Sequence, residues 1–139
     1  MNTKQKIFLV CILVLSLGLS GCTAKVKGID TPIEVGDIQL QVTSATTQDT
    51  YDMGDQRMEP SSAADTILVV EASVSESPVD LVVSVTDDNG RTESPSVTQT
   101  KTMSDEITIT WLFGVSKTAQ SFTLNLPGEI AIPLDSLLK

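Results

Sequence analysis

The groups in this chain that could do chemistry are eighteen carboxylates and two thiols, and it has no histidine. Without imidazole there is no ordinary general base near neutral pH, no Ser-His-Asp or Cys-His arrangement, and no imidazole-rich zinc or copper site. No glycine-rich phosphate loop occurs either. The carboxylates form two clusters. Asp49, Asp52 and Asp55 lie three apart beside Gly54, and Asp87 and Asp88 precede Asn89-Gly90. Converging loop oxygens can bind extracellular calcium, but both clusters lack the periodic oxygens and closing glutamate of an EF-hand. Turn chemistry explains Asp87 to Gly90, since Asn and Gly accept positive φ, and a solvated loop explains the first cluster. These five aspartates are therefore weak calcium candidates, and no metal or cofactor is expected. A glycosidase would need two facing carboxylates and sugar-stacking platforms. With aromatic residues at 4%, platforms are scarce. No enzyme is expected, and a hydrolase is the least favoured function.

The sulfur chemistry is more specific. Met1 to Lys6 carries two lysines, and thirteen uncharged, mainly apolar residues follow from Ile7 to Leu19. That run is shorter than the roughly 20 residues of a permanent membrane span. A basic start, a short apolar run and then small residues has the layout of a secretory signal. Cys22 stands directly after the small residues, and its thiol is a nucleophile able to accept a lipid. Leu19-Ser20-Gly21-Cys22 resembles the lipobox of bacterial lipoproteins. That resemblance implies cleavage between Gly21 and Cys22, and a diacylglycerol-derived group on the Cys22 sulfur. It also implies an acyl chain such as palmitate on the new amine. Each buried methylene contributes about 0.8 kcal/mol, so two or more chains hold a protein firmly on a membrane. The expected location is a cell membrane, lipid-anchored and facing outside the cytoplasm.

Cys11 would leave with the signal, so no disulfide could form within the mature chain. From Cys22 onward seven basic residues face eighteen acidic ones, a net charge of −11. Nucleic acid is excluded as a partner, because phosphate contacts need a basic face. Residues 22–36 read as a tether, in which Lys25 and Lys27 could meet anionic headgroups or simply keep a linker soluble.

The elements beyond the tether alternate with period two. Ile38, Leu40 and Val42 are one such set; Leu81, Val83 and Val85 another, ahead of the Asp88-Asn89-Gly90 turn. Ile107, Ile109, Trp111 and Phe113 form the clearest set, followed by Phe122, Leu124 and Leu126, then Ile130, Ile132 and Leu134. Thr66 to Val74 is a short β-branched run suited to a central strand. Thr46 to Asp65 and Gly90 to Met103 are polar, carry proline, and read as loops or edge strands. The spacing predicts an all-β, immunoglobulin-like two-sheet sandwich of about seven antiparallel strands over 37–139. Its core faces would hold Leu40, Val42, Leu68, Val70, Leu81, Val83, Ile107, Ile109, Trp111, Phe113, Phe122, Leu124 and Ile132.

The succession Asp65-Thr66-Ile67-Leu68-Val69-Val70-Glu71-Ala72-Ser73-Val74, Val85-Thr86-Asp87-Asp88-Asn89-Gly90, Trp111-Leu112-Phe113-Gly114-Val115-Ser116-Lys117 and Ser121-Phe122-Thr123-Leu124 carries a second resemblance. It looks like the extracellular immunoglobulin-like domains of unknown function on bacterial lipoproteins, of the kind labelled telomere-repeat-binding-factor-like. The chain departs from them at Ser116, where proline is common, and near Ser75-Glu76, where asparagine is. That family carries no agreed catalytic residues. The function expected is that of a binding module whose loops meet an envelope protein or polymer. Tyr51, Met53, Arg57 and Met58 would form the first contact loop, since Tyr, Met and Arg are enriched at interfaces. Arg91 to Lys101 would form the second. An accessory subunit of an envelope complex, docked by a strand edge, is the alternative.

Overall fold

An apolar side chain at every second position gives a strand one face to bury, and here two such faces close on each other. The computed structural model describes residues 26–78 and 80–138. The expected signal residues 1–21, including Gly21, and the expected acylation site Cys22 lie outside them. Every regular element among the described residues is a strand. They are β1 (Ile33–Val35), β2 (Ile38–Gln48), β3 (Tyr51–Asp52), β4 (Arg57–Met58), β5 (Asp65–Val74) and β6 (Ser84–Asp87), then β7 (Thr92–Glu93), β8 (Val97–Met103), β9 (Glu106–Ser116), β10 (Phe122–Leu126) and β11 (Ile130–Pro133).

One sheet runs β1-β2-β5-β9-β8 and the other β11-β10-β6-β7, with β3 and β4 forming a separate hairpin. All pairings between these strands are antiparallel. The order β2-β5-β9-β8 facing β11-β10-β6 is the ABED and GFC arrangement of an immunoglobulin sandwich, with β7 in the place of an added C′ strand. The fold class read from the sequence is therefore correct. The described residues hold eleven strands rather than about seven, because short strands such as β1, β3 and β4 form in stretches that read as tether or loop.

The core lies between the sheets. Leu40, Val42, Leu68, Val70, Ile109, Trp111 and Phe113 meet Val83, Val85, Phe122, Leu124, Ile132 and Leu134, all buried. Leu81 and Ile107, expected in the core, are only partly buried at its margin. Fully burying one such aliphatic or aromatic side chain stabilises the fold by about 1.5–3 kcal/mol. A bulge between Val42 and Ser44 shifts the inward positions of β2 from even to odd numbers, so that Ala45 also faces the core.

The sandwich starts earlier than the sequence suggests. From Val26 onward the supposed tether is part of the domain: Ile29 is buried in the core and β1 pairs with β2. The Gly28 carbonyl accepts the Val42 N–H at 2.6 Å, and the Gln41 amide donates to the Ile29 carbonyl at 2.7 Å. Gly28 has φ +89°, and a Cβ there would sit 2.6 Å from Ile132 Cδ1. Glycine permits both the backbone turn and the close approach.

Candidate docking edge

The aspartates take positions dictated by the backbone around them. Asp87, at the end of β6, is buried, and its Oδ1 accepts the N–H groups of Asn89 and Arg91, each at 2.9 Å. This is the side-chain-to-backbone closure that favours Asp before a turn. Asp88 accepts the Gln120 N–H at 3.2 Å and so ties two loops together. Asp49 and Asp52 are exposed; Asp49 lies 3.7 Å from Lys117 and Asp52 lies 3.9 Å from Arg57. Among the described residues no three His, Cys, Asp or Glu side chains gather to hold a metal ion.

The first expected contact loop is a hairpin folded onto the molecule itself. Tyr51 pairs with Met58 and Asp52 with Arg57, and the turn closes with the Met53 N–H donating to the Gln56 carbonyl. Tyr51, Met53 and Met58 are half-buried against Ile67, Val69 and Leu112, on the outer face of the first sheet. Three of the four contact-prone side chains thus pack in cis. Arg57 stays exposed, donating to Thr50 Oγ1 at 3.0 Å. The continuous run Ile67-Leu68-Val69-Val70 carries the signal for this second cluster, since a strand apolar on both faces needs cover on both.

An Arg91 clasp joins this region to the second polar segment. Its guanidinium lies 3.0 Å from Asp65, at the start of β5, and also pairs with Glu93 of β7. Hydrogen bonds that its guanidinium donates to Asp65 first and Glu93 second raise its pKa above the ordinary value for arginine. The Arg91 side chain is 40% exposed, so water screens much of the pair.

The second segment ends in β8, the feature with most unused binding capacity. β8 pairs residue for residue with β9 from Val97↔Leu112 to Met103↔Glu106, without a register shift. Among the described residues no strand pairs with its other side. Val97 is half-buried in the outer cluster, Thr98 to Met103 are exposed, and Met103 is 62% exposed. Strand edges are usually blunted, because their free N–H and C=O groups template further pairing. The three other sheet edges are. β1 has three residues between Pro32 and Gly36; β7 has two and is followed by Pro95; β11 has four and ends at Pro133. β8 has seven residues, with no proline and no bulge. Beneath it, a cleft of about 320 Å³ opens between Thr98 and Thr100 on one side and Pro78, Asp80, Leu81 and Val82 on the other, with Ile109 and Trp111 behind.

No family model matches the chain, and no curated protein matches it. Among solved structures it is similar to a conserved hypothetical protein from Bacillus anthracis, determined at 2.2 Å. That likeness has 11% sequence identity and a TM-score of 0.51, covering 79% of this chain and 96% of the other. It supports the fold alone.

Proposed function

We propose that this protein is a lipid-anchored component of the bacterial cell envelope, working outside the cytoplasm as a non-catalytic interaction module. Cys22 carries the lipid, and the sandwich docks by the β8 edge. The observation that carries the docking role is the seven-residue edge strand whose outer side pairs with no strand among the described residues. An added strand could use those groups directly, which is the β-augmentation mode of recognition. A contact at β8 rather than at Tyr51, Met53 and Met58 is favoured by the packing of those three side chains against the domain's own sheet. Chemistry supports a non-catalytic reading as well. The chain lacks histidine, Asp87 and Asp88 are engaged with backbone N–H groups, and Asp65 with Arg91.

Two measurements test this. Mass spectrometry of the native protein should find an acylated cysteine as the first residue, and a retained Met1-to-Gly21 segment would remove the anchor. Photo-crosslinking in intact cells, with the reactive group at Gln99, should yield one discrete adduct. The same group at Arg57 should yield none. The reverse pattern would return the contact to the β3–β4 hairpin.

A further inference from the structure

The sequence of β8 is nearly symmetric about its centre. Val97-Thr98-Gln99-Thr100-Lys101-Thr102-Met103 reads apolar, Thr, polar, Thr, polar, Thr, apolar from either end. We propose that β8 is a homodimerisation strand: two copies of this chain pair antiparallel through Val97–Met103, with Thr100 on the two-fold axis. This rests on the edge-docking reading above and names its occupant.

The register follows from chemistry. With Thr100 opposite Thr100 of the second copy, Val97 meets Met103, Thr98 meets Thr102 and Gln99 meets Lys101. Each is a favourable cross-strand pair: apolar with apolar, Thr with Thr, and an amide beside an ammonium. A slip of one residue would set outer-face side chains against inner-face ones, which antiparallel pairing forbids within a continuous sheet. A slip of two in one direction would place Lys101 against Lys101. In the other direction it would place Val97 against Lys101 and bring Pro95 opposite Met103. Only the central register uses all seven residues without a like-charge pair. Lysine is a common guard on edge strands, but here the symmetric register leaves it facing a neutral glutamine. The contact would be isologous, as two-fold dimers require. β1 and β8 stand at opposite edges of the first sheet, so joining two β8 strands would leave the two β1 strands at the outer edges of one continuous ten-stranded sheet.

The test is cysteine cross-linking of the full-length protein in its own membranes under mild oxidation by diamide. Opposed residues of an antiparallel pair lie about 4.5–5.5 Å apart at Cα, within disulfide reach. Thr100→Cys should give a covalent dimer as the main product, and Lys101→Cys and the unsubstituted chain should give at most a tenth as much. Thr100→Lys should convert the detergent-solubilised protein from dimer to monomer in sedimentation equilibrium while its circular dichroism stays that of the parent. A dimer from Lys101→Cys but not from Thr100→Cys would overturn the register. A parent protein that sediments as a monomer, with no Thr100→Cys dimer, would overturn self-pairing. If Gln99 photo-crosslinking then still captures one different protein, edge docking stands and only the second copy is wrong. If it captures nothing, both fall.

Discussion

Residues 46–65 and 90–103 are two polar, proline-bearing segments flanking the same central strands, β5 and β9, yet they end in opposite states. The first extends β2 and then turns its few large side chains back, so that Tyr51, Met53 and Met58 cover Ile67, Val69 and Leu112. The second lays down β8 beside β9 and leaves nearly every side chain in water. Their composition explains the difference. A segment with three large apolar groups gains by covering an apolar patch. A segment of threonines has little to bury, and what it offers is backbone. Contact-prone side chains are therefore a poor guide to partners when an apolar face of the same chain is within reach.

The comparison can be broken most sharply at Leu112. Its burial beneath the hairpin predicts that Leu112→Ala costs about 3 kcal/mol in urea denaturation, similar to Leu68→Ala on the inner face. A cost below about 1 kcal/mol would mean that the outer cluster does little. Next, Tyr51→Ala with Met58→Ala should cost about 2 kcal/mol together and speed proteolysis between Asp52 and Arg57, since both side chains are half-buried. Unchanged cleavage would detach the hairpin from the sheet's stability. Removing the clasp between the two segments by Arg91→Ala should lower the urea midpoint only slightly, with part of that loss disappearing at 1 M salt. The smallest effect belongs to the exposed edge. Lys101→Thr should change unfolding free energy by less than about 0.5 kcal/mol, measured where the protein is monomeric. A larger loss would make β8 a structural strand first.

Much of the core was legible, because one buried face imposes period two and the sequence keeps it. Leu40, Val42, Ile109, Trp111, Phe113, Phe122 and Leu124 all point inward as that period requires. The turn at Asp87 to Gly90 was legible for a different reason, since short-range hydrogen bonding leaves its mark in residue type. β8 was harder to read: a strand exposed on both faces has no apolar alternation, and only its pairing with β9 defines it. The packing of residues 26–36 was hidden in the same way. Ile29 and Gly28 acquire their roles from Val42, Gln41 and Ile132, which are distant in sequence. The hairpin cover was half legible. Ile67 to Val70 announced a strand apolar on both faces, but nothing local said which segment would supply the second cover.

Trp111 is the chain's one indole, and it is sealed on the inner face of β9 opposite Thr98 of the open edge. The domain therefore carries an optical gauge of its own. A sealed indole emits toward the blue, and lifting β8 from β9 would let water reach the ring and draw the emission toward the red. Fraying at that flank could thus be followed in an unlabelled protein, separately from events at the hairpin, where the lone tyrosine sits.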